Sequence, residues 1–190
     1  MRTRPVGGHD GARPGAVRRG DADRAHDIER LPFADGSFDV VLTCWTLYFM
    51  RDIDAALEEI KRTLKPGGRV VAATVAADHY RELGELEAEA CRAVGVTPRA
   101  GGSERFNMAT GLPYMKRHFD HVYAREWRGE MTLPDVETTM RFWELLWAPI
   151  EEEDGRDLAR PELRRLVEQR TARDGAFRMK RHGGAFVASK

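Results

Sequence analysis

A strand, a helix and a second strand that follow one another in mid-chain constrain the fold more than any other feature of this sequence. Residues 38–44 and 69–75 are short apolar runs with β-branched members, as expected for strands buried on both faces of a parallel sheet. Between them, large aliphatic residues recur at helical spacing: Ile53, Leu57, Ile60 and Leu64. They predict a helix over residues 53–65. Such a unit requires parallel strands and a right-handed crossover, so the predicted fold class is α/β.

The ends of this helix carry their own signals. Asp52 precedes the first apolar residue and is predicted to be the N-cap. The segment Pro66-Gly67-Gly68 is predicted to stop the helix and turn the chain into the second strand.

The C-terminal half of the chain predicts further helices and two more strands. The helices are expected over residues 78–94, 108–118, 135–147 and 160–172. Residues 119–133 alternate as a strand does, and the segment from Ala176 to Val187 is interpreted as a hairpin that turns at His182-Gly183-Gly184. We expect residues 119–130 and 176–188 to pair antiparallel at one edge of the sheet.

The first 26 residues differ from the rest of the chain. They contain six Arg, five Gly and four Ala, and they show no hydrophobic period. We expect residues 1–26 to be an unstructured segment that is unrelated to the domain at 27–190. A basic arm for an acidic partner is the alternative, although three Asp dilute its charge.

Composition excludes several classes of function. Lys plus Arg and Asp plus Glu both number 31, and this balance argues against nucleic acid as the main partner. No apolar run approaches the ~20 residues of a membrane span and no signal peptide is evident, so a cytoplasmic location is expected. Neither Cys44 nor Cys91 forms a CxxC pair, and His118, His121 and His182 lack ligand spacing, so no metal site is expected.

Three motifs in order resemble the class I S-adenosylmethionine (SAM)-dependent methyltransferases, in particular the small-molecule group called type 11. Residues 27–33, Asp-Ile-Glu-Arg-Leu-Pro-Phe, are close to the family's acidic-loop pattern D-A-E-x-L-P-F. Residues 34–41 match the turn and entry to its fourth strand. Residues 59–68 match E-x-x-R-x-L-x-P-G-G before its fifth strand. The resemblance implies a partial Rossmann-like doubly wound sheet, mostly parallel, with antiparallel C-terminal edge strands.

The resemblance also implies which residues hold SAM as co-substrate. In open parallel sheets, ligands lie beyond the carboxyl ends of the strands. The family uses the position of Asp27 for the adenine amine, and the backbone at Ile28 would flank the ring. Cys44, Trp45 and Thr46 follow the fourth strand and would lie near the methionine part. The alternative for Asp27 is that its carboxylate only caps a turn.

Contacts with a small-molecule acceptor are expected just past the fifth strand and on a later helix. His79 and Tyr80 are the candidates at the strand, and an exposed helix start is the alternative. Trp143 and Trp147 could roof the acceptor pocket, or they could be core residues at helical spacing. The family offers no universal catalytic residue, because positioning supplies much of the catalysis, and none is assigned here.

One family feature is missing from the sequence, the glycine-rich loop G-x-G-x-G. Gly7-Gly8 and Gly11 follow no strand and open no helix, so they fail the context that such a loop requires. The acidic residue that would hold the ribose is missing with it. We therefore expect an N-terminally incomplete domain, from a wrong start site, a frameshift or a true truncation, that binds SAM weakly. Arg outnumbers Lys 26 to 5, as in an off-frame translation of GC-rich DNA.

Two alternative functions remain open. One is a non-catalytic remnant or accessory subunit with methyltransferase topology. The other is a nicotinamide-dependent dehydrogenase, since both folds are doubly wound, and the three motifs favour the methyltransferase over it. The methyl acceptor and the oligomeric state do not follow from the sequence.

Overall fold

The computed structural model describes residues 27–98, 102–147 and 156–190. The prediction that residues 1–26 are an unstructured segment concerns residues outside these ranges. The elements in chain order are strand β1 (Phe38–Cys44), a 3-10 turn (Leu47–Phe49), α1 (Ile53–Thr63), β2 (Leu64–Val75), α2 (Arg81–Ala93), a second 3-10 turn (Gly102–Arg105), α3 (Gly111–His118), β3 (Asp120–Leu133), α4 (Val136–Trp147), α5 (Arg156–Asp174) and β4 (Phe177–Ser189).

These strands form a four-stranded sheet in the order β1-β2-β4-β3. β1 and β2 are parallel, with Thr43 opposite Ala72, which confirms the predicted strand–helix–strand unit. β4 runs antiparallel to both β2 and β3, so three of the four strands point the same way. The predicted antiparallel pairing of the two C-terminal strands at one edge is confirmed, and with it the fold class.

The predicted hairpin at His182-Gly183-Gly184 is wrong, because β4 passes through this segment without a turn. The two glycines instead allow β4 to pack closely against the residues beside it. A Cβ on Gly183 would lie 2.8 Å from Cζ2 of Trp127, and one on Gly184 would lie 2.4 Å from the carbonyl oxygen of Arg125. Such contacts are too short for any other residue, so the glycines let β4 lie close against its neighbours.

Helix α1 begins as predicted and ends earlier. The Asp52 side chain accepts a hydrogen bond from the Ala55 N–H at 3.0 Å, which confirms the N-cap. The apolar stripe is buried against the sheet, as predicted. The expected turn at residues 66–68 is absent, because β2 already begins at Leu64. The ladder shifts register between Phe38 and Val40, so a bulge takes up the proline and glycines.

Two apolar clusters hold the helices to the sheet. The first lies under α1 and α3 and includes Ile60, Met115 and Phe186. The second joins α2, α4 and α5 to the ends of β3 and β4. β1 is less covered than predicted: Val40 is 53% and Leu42 is 67% exposed, because the described residues leave one face of this edge strand open.

Substitution of Gly184 by Ala tests the role of the glycine pair. We expect a loss of about 1–3 kcal/mol in unfolding free energy, because the new Cβ meets a backbone carbonyl that cannot rotate away. Gly129→Ala on the neighbouring strand is the matched control, since a Cβ there meets nothing within 4 Å. Urea unfolding followed by circular dichroism measures both variants. Equal midpoints for Gly184→Ala and the wild type would contradict this account of the packing.

Candidate functional site

The parallel strands β1 and β2 end at one edge of the sheet, and strained residues follow both. Trp45 has φ of 53° and Tyr80 has φ of 54°, in the left-handed region that residues other than glycine seldom occupy. Backbone hydrogen bonds hold them there. The Trp45 N–H donates to the Ala73 carbonyl and the Tyr80 N–H donates to the Lys180 carbonyl, each at 3.0 Å. Non-glycine strain of this kind often accompanies functional sites.

A cavity of about 850 Å³ opens at this edge. Its volume lies in the range typical of small-molecule sites. The rings that line it come from four different parts of the chain: Trp45, Tyr48, Phe49, His79, Tyr80, Trp127 and Trp143. Its charged lining residues are Glu87, Arg105 and Arg181. The cavity is therefore an aromatic chamber with a small number of charges.

The aromatic wall is tightly packed around His79. Its ring centroid lies 3.8 Å from that of Tyr80 and 6.0 Å from that of Trp127, the latter edge-on. The Arg181 guanidinium lies over the Trp127 ring at 5.2 Å from the centroid, in a cation–π contact. This wall presents rigid apolar faces together with one exposed positive charge.

His79 is held in one protonation state. Its Nδ1 accepts a hydrogen bond from the His182 N–H at 2.9 Å. Burial lowers the pKa of His79 below its ordinary value of 6.5. The ring is therefore neutral at physiological pH, with its proton on Nε2, because Nδ1 is used as an acceptor. In this state His79 donates through Nε2 and cannot take up a proton at Nδ1 without losing its backbone partner.

His182 bridges the loop after β2 to the C-terminal strands. Its Nδ1 lies 2.6 Å from Oδ1 of Asp78, and its Nε2 lies 3.0 Å from Oε2 of Glu126. Hydrogen bonds to Glu126 and then to Asp78 raise the pKa of His182, and the His182 hydrogen bond lowers the pKa of Asp78. The imidazolium and its two carboxylates therefore fix the backbone that orients His79.

The acidic segment also reaches this edge. The Glu29 carboxylate accepts from the Arg51 N–H at 2.7 Å, just before α1 begins. Oδ1 of Asp27 accepts a hydrogen bond from the Glu29 N–H at 3.0 Å. The Asp27 carboxylate therefore caps a turn, which was the alternative to a role in binding adenine. Ile28 packs half-buried against the first cluster. Neither Asp27 nor Ile28 lines the cavity itself.

The other predicted site residues divide into two groups. Trp45, His79, Tyr80 and Trp143 meet at the cavity. Cys44 and Thr46 do not line it: Cys44 is exposed, and Oγ1 of Thr46 is hydrogen-bonded to Oγ1 of Thr43 at 2.7 Å. The Trp147 side chain lies outside what the structure describes.

Sequence reasoning missed Trp127 and Arg181. Both belong to the antiparallel pair β3–β4, and Trp127 stands opposite Gly183 in the ladder. No local pattern in the sequence marks either residue, because their position at the cavity depends on how β3 pairs with β4. In the described ranges, no cluster of three or more His, Cys, Asp or Glu could hold a metal ion. No helix in those ranges is both long and apolar enough to cross a membrane.

Comparisons with known proteins match the first part of the chain to methyltransferases. Residues 12–72 match the family model described as a methyltransferase domain. The chain is 39% identical over 71 residues to a malonyl-[acyl-carrier protein] O-methyltransferase of Erwinia billingiae, covering 36% of this chain and 27% of that protein. It is 46% identical over 65 residues to a demethylmenaquinone methyltransferase of Thermobifida fusca, covering 31% and 28%.

A solved Bacillus halodurans structure, described as a candidate methyltransferase, shares the fold. It superposes with a TM-score of 0.52 at 14% identity, over 87% of this chain and 75% of that one. The sequence match to curated relatives is narrower, since the chain spans about a quarter of their length.

The His182 bridge predicts a pH-dependent stability. A raised folded pKa means that its contribution is fully present below the ordinary value of 6.5 and is lost as pH rises through the folded pKa. We expect His182→Asn to cost roughly 1–3 kcal/mol at pH 6, because it leaves partly buried partners unpaired, and clearly less at pH 9. His121→Asn, at an exposed position on β3, is the matched control for the loss of a histidine ring. Urea unfolding at both pH values measures this, and a pH-independent cost for His182→Asn would contradict it.

Proposed function

We propose that this chain, which belongs to the class I SAM-dependent methyltransferases, transfers a methyl group from SAM to a small-molecule acceptor. The observation that carries the proposal is the aromatic cavity at the carboxyl ends of β1 and β2, where ligands of doubly wound sheets bind. The proposed setting is the cytoplasm, with no nucleic-acid or membrane partner.

The cofactor side of the site is proposed along the first part of the described chain. Asp27 would accept from the adenine amine through the carboxylate oxygen that does not cap the turn, and Ile28 would flank the ring. Cys44, Trp45 and Thr46 would lie along the methionine part. The supporting observation is that Glu29 ties the acidic segment to Arg51, at the same edge of the sheet as Trp45.

The acceptor side is proposed around His79, Tyr80, Trp143 and Trp147. In the transfer, a lone pair of the acceptor attacks the methyl carbon, the carbon–sulfur bond breaks, and sulfur keeps the electron pair as S-adenosylhomocysteine leaves. Positioning of the nucleophile supplies much of the rate, and a base is needed only if the acceptor must lose a proton. The neutral His79 ring would orient the acceptor as a donor, since its Nδ1 is already occupied.

A non-catalytic accessory role is the second candidate function. It is favoured by the sequence of the 190 residues, which contains no G-x-G-x-G segment. That loop allows close approach of the backbone to the cofactor, and the acidic residue beyond it accepts from two ribose hydroxyls. Hydrogen bonds to a charged group contribute roughly 1.5–3 kcal/mol each, so their absence weakens SAM binding on the order of 10²-fold or more.

Calorimetric titration of the 190-residue chain with SAM separates these candidates. We expect binding that is detectable only well above micromolar SAM. Asp27→Asn should weaken it further by roughly tenfold, because the substitution keeps the turn cap and removes the charge that the adenine amine meets. Asp120→Asn, at the opposite edge of the sheet, is the control and should not change the affinity.

Micromolar binding would contradict the expected weakness and would leave methyl transfer by this chain intact. No binding at millimolar SAM would contradict methyl transfer by the chain alone and favour the accessory role. An unchanged affinity in Asp27→Asn would remove Asp27 from the proposed cofactor site.

A further inference from the structure

One face of the sheet carries an apolar surface that neither apolar cluster covers. The strand pairing places Leu42, Val71, Val187 and Tyr123 in one row across all four strands. Leu42 is 67% and Tyr123 is 49% exposed, and the two valines between them are partly exposed. None of the four belongs to either cluster. An open apolar row across a whole sheet is typical of an interaction surface.

The opposite face of the same strands is covered. Val70, Ala72, Phe186 and Ala188 alternate with the open residues along β2 and β4, and they are buried in the first cluster under α1 and α3. The central strands of a sheet with parallel pairs normally bury both of their faces. In the described ranges, this part of the sheet is therefore covered on one face only.

The open face has the shape of a trough. Its floor is made of small residues on the two central strands, Ala73 and Ala185, and its walls are larger residues on the two edge strands, Leu42 and Tyr123. The edge strands β1 and β3 are three strand spacings apart, which is about 14 Å. An α-helix with its side chains is about 10 Å across, so one helix fits between the walls.

The charges on the open face favour an acidic helix. Arg69 and Arg125 lie on this face and are exposed, and none of the strand residues that share the face is an Asp or a Glu. The Arg125 guanidinium lies 5.7 Å from the centroid of the Tyr123 ring, at one wall of the trough. Carboxylates on the flanks of a bound helix would meet these guanidinium groups.

Two occupants from this chain fit the trough less well. A two-fold interface places the same patch on both sides, so a second copy would bring four arginines together without a carboxylate. Residues 1–26 contain six Arg and three Asp and show no hydrophobic period. Their sequence therefore offers neither an apolar stripe nor the negative charge that the face requires.

We propose that the trough binds an amphipathic helix of a partner protein, with its apolar stripe on the alanine floor and its acidic residues beside Arg69 and Arg125. Val75 and Trp127 belong both to this face and to the lining of the cavity, so the bound helix would extend the cavity wall. The inference goes beyond methyl transfer and does not depend on it.

Three matched peptides of about 20 residues test the proposal, since this length supports a helix in water. The first carries a leucine stripe flanked by glutamates, and the second has lysines in place of the glutamates. The third has the composition of the first in an order that breaks the stripe. Fluorescence anisotropy of the labelled peptides with the 190-residue chain measures each affinity. We expect the first peptide to bind roughly tenfold more tightly than either of the others.

NMR of the alanine methyl groups locates the bound peptide. The signals of Ala73 and Ala185 on the floor of the trough should shift when the acidic striped peptide binds. The signal of Ala72, which is buried on the covered face, is the internal control and should not shift.

Substitutions assign the contacts. Leu42→Asp should weaken the acidic striped peptide by roughly tenfold or more, because it puts a negative charge in the wall of the trough. Leu145→Asp is the matched control, since Leu145 is also 67% exposed and lies on α4. Arg125→Glu should bring the acidic and basic striped peptides to similar affinities. Lys116→Glu, at an exposed position of α3 over the covered face, should leave their ratio unchanged.

Four results would overturn the proposal. They are equal affinity for the striped and the reordered acidic peptides, no preference for the acidic over the basic striped peptide, equal effects of Leu42→Asp and Leu145→Asp, and no binding at millimolar peptide. Sedimentation analysis adds a fifth: a dimer of the chain that Leu42→Asp dissociates would make a second copy the occupant. The substituted residues are exposed, so circular dichroism should show folded variants, and Arg125→Glu keeps the test decisive if Leu42→Asp does not fold.

Discussion

The close approach of β4 to both of its neighbours is the constraint on which the site depends. Gly183 lies opposite Val75 of β2 and Trp127 of β3, and a Cβ at Gly183 would come within 2.9 Å of the Thr74 carbonyl oxygen. Only a glycine allows the three backbones to meet at this level of the sheet. Because β4 fits there, the end of β2 and the middle of β3 lie on either side of it and both contribute to one cavity.

Polar contacts then fix the geometry that the glycines make possible. His182 is the residue before Gly183 in β4. Its ring bridges Asp78, which lies after β2, and Glu126 of β3. Its backbone N–H in turn holds Nδ1 of His79, which decides that His79 donates and does not act as a base at that atom. One backbone hydrogen bond therefore joins β4 to a side chain of the cavity. This linkage is the structural reason for treating the edge of the sheet and the acceptor site as one unit.

The family match and the cavity concern different parts of the proposed function. The family match over residues 12–72 covers the strand–helix–strand unit and the acidic segment, which lie on the proposed cofactor side. Much of the lining of the cavity proposed for the acceptor comes from later residues, among them Trp127, Trp143 and Arg181. We therefore expect the choice of acceptor to depend largely on the part of the chain that the family match does not cover.

The sequence by itself determined the strand–helix–strand unit, the N-cap at Asp52 and the antiparallel C-terminal pair, because these follow from local periodicity and capping chemistry. It also placed His79 and Tyr80 at the ligand edge, since residues after a parallel strand must lie there. Only the tertiary structure decided that Gly183 and Gly184 lie within a strand, because a glycine in a turn and a glycine in close packing have the same sequence signal. The fold also decided that Trp127 and Arg181 line the cavity and which tautomer His79 adopts. Each depends on contacts between residues far apart in the chain, and local pattern carries no information about such contacts.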